Sequence, residues 1–201
     1  MVAGGSSTRF GRAKQYEDLG NGRVLDMSMQ TAVAASDGVV LVVPAADVST
    51  EGGVAGGETR SQSVRSGLAA VPADATIICV HDAARPFADL ALYDAVIDAV
   101  AAGADCAVPG IAVTDTIKVV DADGTVVATP ERASLRAIQT PQAFRAVALR
   151  RAHDGAAEAT DDAGLVEAAG GRVVVVDGDE ANRKITYPAD LEWARSRVLA
   201  S

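Results

Sequence analysis

Three short, unbroken apolar runs, each followed by a helical pattern, are the feature that most constrains the fold of this 201-residue chain. The runs cover residues 39–43, 77–80 and 106–108. Because their apolar residues do not alternate with polar ones, they indicate strands that are covered on both faces. Between them, apolar side chains recur at helical spacing, as in Val64 and Leu68. This β-α-β-α-β order predicts an α/β fold, a mostly parallel sheet with helices on both faces.

Length and composition favour a single domain over residues 1–201, since 49% of the residues are hydrophobic and no linker or repeat is present. The net charge of −9 argues against a nucleic-acid partner. No apolar run reaches the roughly 20 residues of a membrane helix and the start has no leader pattern, so we expect a cytoplasmic protein with no membrane partner. Cys79 and Cys106 are expected to be buried free thiols.

The helical alternation stops between residues 115 and 141. Short apolar pairs on either side of Asp123-Gly124 predict a β-hairpin there. Such an excursion either projects as an arm that makes dimer contacts or adds an edge to the sheet, and both interpretations stay open at this point.

Local signals predict the ends of several elements. The strand that begins at Cys106 is expected to close at Pro109, and residues 145–153 are expected to form a helix. Thr160 is expected to cap a further helix that runs to Ala169.

The opening stretch, residues 2–16, combines small residues with the cations Arg9, Arg12 and Lys14. Small residues let backbone N–H groups approach an anion closely, so the stretch is typical of a phosphate-binding loop, although an ordinary Gly/Ser-rich turn has the same composition. Its spacing matches neither a Walker A loop nor the Gly-x-Gly-x-x-Gly pattern of dehydrogenases.

Ligands of open α/β sheets gather at the carboxyl ends of the strands. The opening stretch, the Gly56-Gly57 turn, residues 81–85 and residues 114–116 should therefore share one edge. Asp82, beside Arg85, suits a magnesium ion that bridges phosphates, and the alternative is a helix cap or a partner for Arg85.

Seven pieces of the chain, in this order, carry a resemblance to a known family. They are residues 3–10 (AGGSSTRF), 14–16 (KQY), 80–86 (VHDAARP), 115–118 (DTIK), 139–142 (QTPQ), 160–162 (TDD) and 184–186 (KIT). With these pieces, which span nearly the whole chain, the sequence resembles the 2-C-methyl-D-erythritol 4-phosphate cytidylyltransferases.

The resemblance implies a GT-A-like (Rossmann-like) nucleotidyltransferase fold with a β-arm that makes a homodimer. The implied reaction joins CTP to methylerythritol 4-phosphate, a polyol phosphate, and releases pyrophosphate in the non-mevalonate pathway of isoprenoid biosynthesis. The implied cofactor is Mg²⁺ or another divalent cation.

The resemblance also assigns roles to individual residues. The implied catalytic cations are Arg9, Lys14 and Lys184. The implied CTP-binding residues are Ala3, Gly4, Gly5, Ser7, Gly57, Ser63 and Asp82, and Asp82 is also the implied metal ligand. The implied acceptor-binding residues are Asp82, Arg85, Thr116, Arg132, Thr140 and Thr160, with Arg132 reaching the site of the neighbouring subunit. His81 is expected to be structural, because the attacking phosphate is already ionised and needs no base.

Two departures from the family pattern keep alternatives open. The chain starts at Met1-Val2, so the first strand of the family is nearly absent, and Ser7 stands where the family has its second glycine. The alternatives are a cytidylyltransferase for another polyol phosphate, such as ribitol 5-phosphate, and a weakly active or inactive nucleotide-binding homologue.

Overall fold

The computed structural model describes residues 1–4, 10–11, 13–155 and 158–200. The α-helices are α1 (Val24–Ala34), α2 (Val48–Glu51), α3 (Arg60–Ala70), α4 (Leu90–Ala101), α5 (Ala146–Ala152), α6 (Asp162–Ala168) and α7 (Pro188–Leu199). The strands are β1 (Val42–Val43), β2 (Val54–Ala55), β3 (Ile77–Val80), β4 (Cys106–Ala112), β5 (Val119–Val120), β6 (Val126–Ala128), β7 (Arg136–Ile138), β8 (Gln142–Arg145) and β9 (Val173–Asp177). Short 3₁₀ helices cover Lys14–Tyr16, Ala45–Asp47 and Arg132–Ser134.

The central sheet has the spatial order β2, β1, residues 1–3, β3, β8, β4, β9, with β7 paired to the end of β4. Residues 1–3 join β1 to β3, because Val2 bridges Val42 on one side and Asp82 on the other. β1 and β2 are parallel, as are β4 and β9, whereas β8 runs antiparallel to both β3 and β4. The expected mostly parallel sheet is therefore confirmed, with β8 as the reversed strand in its centre.

The sheet buries one set of side chains on each face, because successive residues of a strand point to opposite sides. On one face, Ile78 and Val80 of β3 belong to the same core cluster as residues of α3, α5 and α6. On the other face, Cys79 packs with residues of α1 and α4. The expected helices on both faces are thus present.

The hairpin predicted around Asp123-Gly124 is confirmed. β5 and β6 pair antiparallel with each other and form a separate two-stranded sheet. The Asp121 side chain accepts hydrogen bonds from the backbone N–H groups of Asp123 and Thr125, and Gly124 has a φ of 82°, which favours glycine. We call residues 113–138, which carry this hairpin and end in β7, the β-arm.

Two thiols were expected to be buried and free. Cys106 is buried, Cys79 is half-buried, and both are free. Burial raises the pKa of the Cys79 thiol to about 12. Among the described residues, no helix combines the length and the apolar character needed to cross a membrane.

Some predicted boundaries are wrong. The ladder includes only Val42–Val43 of the predicted 39–43 strand. β4 continues through Pro109 to Ala112. The Pro109 carbonyl accepts a hydrogen bond from Gln139 N, and β4 stays paired with β9 on both sides of Pro109 although proline has no N–H to donate.

The start of α6 and the identity of β8 also differ from the prediction. Asp161, not Thr160, caps α6, since its side chain accepts a hydrogen bond from Gly164 N. Gln142–Arg145 forms β8, which the sequence did not indicate, and the predicted helix begins only at Ala146.

We predict that Phe144→Ala, in β8, lowers the free energy of unfolding by about 3–5 kcal/mol, because the fully buried ring would leave a cavity between the helices and the sheet. Urea unfolding measures this loss. Val147→Ala, at a largely exposed site on α5, is the matched control and should change it by less than about 0.5 kcal/mol. Equal losses in the two variants would contradict the central position of β8.

Candidate functional site

Asp82 lies two residues beyond β3 and is the centre of the candidate site. Its Oδ2 accepts a hydrogen bond from Lys184 Nζ at 2.5 Å, and its Oδ1 lies 3.5 Å from Arg60 Nε. The Asp82 side chain is only 13% exposed. Burial alone would raise its pKa, but the charges of Lys184 and Arg60 outweigh burial and hold the pKa of this carboxyl well below its usual range. Asp82 is therefore an ionised carboxylate between two cations.

A buried chain of hydrogen bonds fixes the backbone at Asp82. The Asp82 N–H donates to Thr140 Oγ1 at 3.0 Å, and Thr140 Oγ1 lies 2.9 Å from His81 Nδ1. His81 Nε2 lies 3.1 Å from the Arg85 carbonyl, which can only accept, so we assign the ring proton to Nε2 and let Thr140 donate to Nδ1. Burial lowers the pKa of His81 to about 4, so the ring is neutral at pH 7. His81 is structural, as expected.

The segment that carries Lys184 is held by two residues to which the sequence analysis gave no individual role. Asn182 is fully buried, and its Nδ2 donates to the Thr140 carbonyl at 2.9 Å. The backbone carbonyl of Asn182 accepts a hydrogen bond from Arg85 Nη1 at 2.8 Å. Gln139 donates to the Asp179 carbonyl at 2.7 Å. These contacts bind the segment before Lys184 to the Thr140 loop, which places Lys184 against Asp82.

Arg60, in the first turn of α3, is the second cation at Asp82, and the resemblance did not assign it a role. Its Nη1 lies 2.6 Å from Asp162 Oδ2, so it contacts two carboxylates from different parts of the chain. Asp162 Oδ1 in turn lies 2.9 Å from His153 Nε2. The sequence offered Arg60 only as part of a local basic pair, with Arg65, that could meet an anionic ligand.

The Gly56-Gly57 turn lies against the opening stretch, as the sequence predicted. A side chain on Gly4 would lie 3.3 Å from Ser63 Oγ and 3.7 Å from Gly56 Cα. Gly57 N donates to Ser63 Oγ at 3.1 Å, and Ser63 donates to the Thr59 carbonyl at 3.0 Å. The hydroxyl of Ser63 thus shapes the turn, and the backbone of Gly4 is brought close to it.

The remaining predicted nucleotide residues divide into two groups. Ala3 is buried and its N–H donates to the Val42 carbonyl at 2.7 Å, and Lys14 is half-buried at the start of a 3₁₀ helix. The other predicted residues, Gly5, Ser7 and Arg9, together with the loop cation Arg12, lie outside the described residues.

The predicted acceptor residues are not all exposed at one place. Thr140 is buried and its hydroxyl serves Asp82 and His81, and the guanidinium of Arg85 bonds to carbonyls of Asn182 and Ile138. Three others are exposed: Thr116 and Arg132 on the β-arm, and Thr160 beside the cap of α6. Arg132 donates to the Thr114 carbonyl of its own chain at 2.7 Å.

Asp82 supplies the carboxylate of this site that could bind a metal cation. In the part of the chain that the structure describes, no cluster of three or more His, Cys, Asp or Glu side chains could hold a metal by itself. The arrangement instead suits an ion bound by one carboxylate and by oxygens of a ligand, which is how Mg²⁺ binds with phosphates.

A cavity of about 980 Å³ lies elsewhere, between the edges of β1 and β3. Apolar residues such as Val39, Leu68 and Ile77 line much of it, whereas Asp82, Lys184 and Arg60 do not. The charged cluster at the carboxyl end of β3, rather than this cavity, has the chemistry to bind an anionic ligand.

Comparisons with known proteins identify relatives. A family model described as "IspD: 2-C-methyl-D-erythritol 4-phosphate cytidylyltransferase" matches residues 1–199. The 2-C-methyl-D-erythritol 4-phosphate cytidylyltransferase of Rhodococcus jostii is 44% identical over 211 residues, which cover 98% of this chain and 93% of that protein. The crystal structure of the enzyme of that name from Thermus thermophilus is 32% identical, with a TM-score of 0.84 over 98% of this chain and 97% of the other. The resemblance drawn from the motifs is confirmed.

Other relatives are longer. The bifunctional enzyme IspD/IspF of Rhodopseudomonas palustris is 42% identical over 221 residues, which cover 100% of this chain and 55% of that protein. The chain thus spans about half the length of the bifunctional proteins that it matches.

We predict that Thr140→Val, which preserves shape, lowers the free energy of unfolding by about 1–3 kcal/mol, because it leaves the Asp82 N–H and His81 Nδ1 buried without their partner. Urea unfolding at pH 7 checks this. Thr129→Val, on the exposed surface of the β-arm, is the control and should stay within about 0.5 kcal/mol of the wild type. An unchanged midpoint for Thr140→Val would show that the hydroxyl does not hold the site.

Proposed function

Since the chain belongs to the IspD family of 2-C-methyl-D-erythritol 4-phosphate cytidylyltransferases, we propose that it transfers the cytidylyl group of CTP to 2-C-methyl-D-erythritol 4-phosphate and releases pyrophosphate. The observation that carries this proposal is the ionised Asp82 with Lys184 and Arg60 at the end of β3. Val2 pairs with Asp82 in the sheet, and Gly4, two residues further along the chain, lies against the Gly56-Gly57 turn. The charged cluster is therefore next to this turn.

The reaction needs positioning and charge neutralisation rather than a protein nucleophile. A phosphate oxygen of the acceptor attacks the α-phosphorus of CTP in line and forms a new P–O bond, while the bond from the α-phosphorus to the bridging oxygen breaks and pyrophosphate leaves. The acceptor oxygen is already ionised, so no general base is required. The neutral, fully bonded His81 is consistent with this absence of a base.

Lys184 is the described cation that we assign to the α-phosphate. Its side chain is 37% exposed, so its ammonium can leave Asp82 and meet an incoming phosphate. A cation that neutralises charge developing in the transition state lowers the barrier. Arg9 and Lys14 belong to the same proposal as cations on the triphosphate, and the backbone of residues 3–7 as its cradle.

We place the cytosine base on one side of Asp82 and the acceptor on the other side. The Gly57 turn, which Ser63 shapes, is the proposed slot for the cytosine ring, because glycine lets the backbone approach a ligand closely. Asp82, Arg85, Thr116, Arg132, Thr140 and Thr160 are the proposed acceptor residues.

We assign the divalent cation, Mg²⁺ or a similar ion, to Asp82. One ionised carboxylate beside a phosphate site fits an ion that takes its other ligands from phosphate and water. Such an ion would offset the negative charge of the triphosphate. A cytoplasmic location is part of this proposal and agrees with the two free thiols, which are typical of reducing compartments.

Pyrophosphate release with CTP and Mg²⁺ tests the function. We expect release with methylerythritol 4-phosphate and much less with ribitol 5-phosphate. The reverse preference would favour the ribitol-type alternative, and no release from folded protein with either acceptor would favour a nucleotide-binding homologue without turnover.

We predict that Lys184→Ala lowers kcat by about 100- to 1,000-fold, because it removes a charge that acts on the transition state. Steady-state kinetics measures this, and thermal unfolding confirms that the variant is folded. Arg151→Ala removes an exposed cation of α5 and should leave kcat within about twofold. Equal kcat values for Lys184→Ala and the wild type would contradict the assignment.

The β-arm is the proposed dimer interface. Six of its large apolar side chains are exposed: Ile117, Val119, Val120, Val126, Val127 and Ile138. Isolated two-stranded hairpins are at best marginally stable in water, and exposed apolar patches mark interaction sites. A second copy of the chain would cover this patch, and it would allow Arg132 to reach the neighbouring acceptor site.

We predict that the double substitution Val120→Glu and Val127→Glu converts a dimer into a monomer, because it places charge in the apolar patch of the β-arm. Light scattering coupled to size exclusion measures the mass. Val33→Glu, on α1, has a comparably exposed valine (59% against 61% for Val127) and should leave the mass unchanged. A dimer that persists in the arm variant would exclude this patch as the interface.

A further inference from the structure

Arg60 joins two buried carboxylates that come from opposite sides of the candidate site. Asp82 follows β3 and belongs to the proposed nucleotide and metal site, whereas Asp162 begins α6, two residues after the proposed acceptor residue Thr160. Arg60 itself stands three residues beyond Gly57, at the start of α3. Arg60 thus begins the helix that follows the Gly56-Gly57 turn, and its side chain contacts one carboxylate on the nucleotide side and one on the acceptor side.

The contacts of Arg60 are arranged as one connected network. Its Nε lies 3.5 Å from Asp82 Oδ1 and its Nη1 lies 2.6 Å from Asp162 Oδ2. Asp162 has no exposed side-chain surface, and its other oxygen lies 2.9 Å from Nε2 of the buried His153. The Arg60 side chain is only 24% exposed. A displacement at either carboxylate would move the guanidinium and with it the other carboxylate.

Stability alone does not account for this arrangement. Ionised groups taken from water lose hydration that their mutual attraction repays only in part, so a buried ion pair adds little net stability. Nη2 of Arg60 is also buried and has no hydrogen-bond partner among the described residues, which is a further cost. Buried polar atoms that stay unpaired call for an explanation.

The orientation of the Asp82 carboxylate supplies that explanation. Lys184 binds Oδ2 and Arg60 lies on the Oδ1 side, so the two cations approach opposite oxygens. Lys184 must leave Asp82 if it binds phosphate, and Arg60 then remains as the partner that keeps the carboxylate in place. Groups that orient a binding carboxylate in this way commonly change activity by about 10- to 100-fold when removed.

We propose that Arg60 is a positioning residue that holds the Asp82 carboxylate in its productive orientation and ties it, through Asp162, to the acceptor side of the site. The inference rests on the proposed function, because it assigns a role within that reaction. Arg60 contacts neither reacting phosphate and acts through Asp82.

A double-mutant cycle of Arg60→Gln and Asp82→Asn tests the inference by pyrophosphate release. Arg60→Gln should lower kcat by about 10- to 100-fold, with the same split between kcat and KM for CTP as Asp82→Asn. In the Asp82→Asn background, Arg60→Gln should change kcat by less than about threefold, because its route of action is gone. The inference would be overturned if the kcat losses of the two single variants multiplied in the double variant. It would also be overturned if a lower folded fraction, measured by thermal unfolding, accounted for the whole kcat loss of Arg60→Gln.

Two further variants separate a bridging role from general electrostatics. Arg65→Gln, one turn further along α3, breaks an ion pair with the exposed Glu158 and should leave kcat within about threefold. Arg60→Lys keeps the charge but has one ammonium instead of a fork, so it should recover only part of the loss. Full recovery by Arg60→Lys, or an equal loss in Arg65→Gln, would overturn the bridging role.

CTP affinity separates failure of this inference from failure of the proposed function. If wild-type protein releases no pyrophosphate, the proposed function fails, and the same cycle is then measured on Mg²⁺–CTP binding by calorimetry. Weaker binding in both single variants with no further loss in the double variant supports the role of Arg60. Independent losses, or binding that Arg60→Gln leaves unchanged while Asp82→Asn weakens it, overturn that role.

Discussion

The burial of one ionised carboxylate, that of Asp82, sets the requirements that the surrounding structure meets. A buried carboxylate without partners costs several kcal/mol, so the fold must bring cations to it. Arg60 comes from the start of α3 and Lys184 from the segment before α7, more than 120 residues apart in sequence. The sheet makes this meeting possible, because β3 ends between the opening residues 1–3 and β8.

The polar side chains around Asp82 are mostly engaged in holding one another. Thr140 binds the Asp82 backbone and His81, Asn182 binds the Thr140 carbonyl, and Arg85 binds the Asn182 carbonyl. A hydrogen-bonded network of this kind is rigid, since moving one member breaks the hydrogen bonds of the next. Motifs that resemble ligand-binding residues in sequence therefore also act here as supports, and a direct acceptor contact of Thr140 stays a prediction.

The sequence predicted those elements whose signals are local. β3 was predicted with its observed bounds, and the hairpin followed from Asp123-Gly124, because turn chemistry depends on adjacent residues. β8 was missed because Gln142–Arg145 is short, has polar ends and runs into α5, and only its pairing with β3 and β4 makes it a strand. The cap at Asp161 was assigned one residue early, since Thr160 and Asp161 are both good cap residues.

The residues of the candidate site were likewise predictable only where a local motif marks them. Asp82, Arg85 and Lys184 were identified by motif, and the structure brings Asp82 and Lys184 into contact. Asp162 was recognised only as part of the 160–162 motif, and Arg60 and Asn182 were assigned no role, because an arginine or asparagine has no local signal of burial and its partners lie far along the chain.

The two cations of Asp82 differ in how firmly they are held, and this difference suits the proposed reaction. Lys184 is the more exposed, and its ammonium donates a hydrogen bond to Asp82, so phosphate can replace that carboxylate at little cost in burial. Arg60 is anchored by Asp162, whose own position depends on the buried His153. Exchange at Lys184 would leave Asp82 with one fixed cation and one free oxygen, which is the state in which a carboxylate can bind a divalent cation. The unequal burial of Lys184 and Arg60 therefore fits the proposed reaction, in which one cation leaves the carboxylate for phosphate and the other keeps it in place.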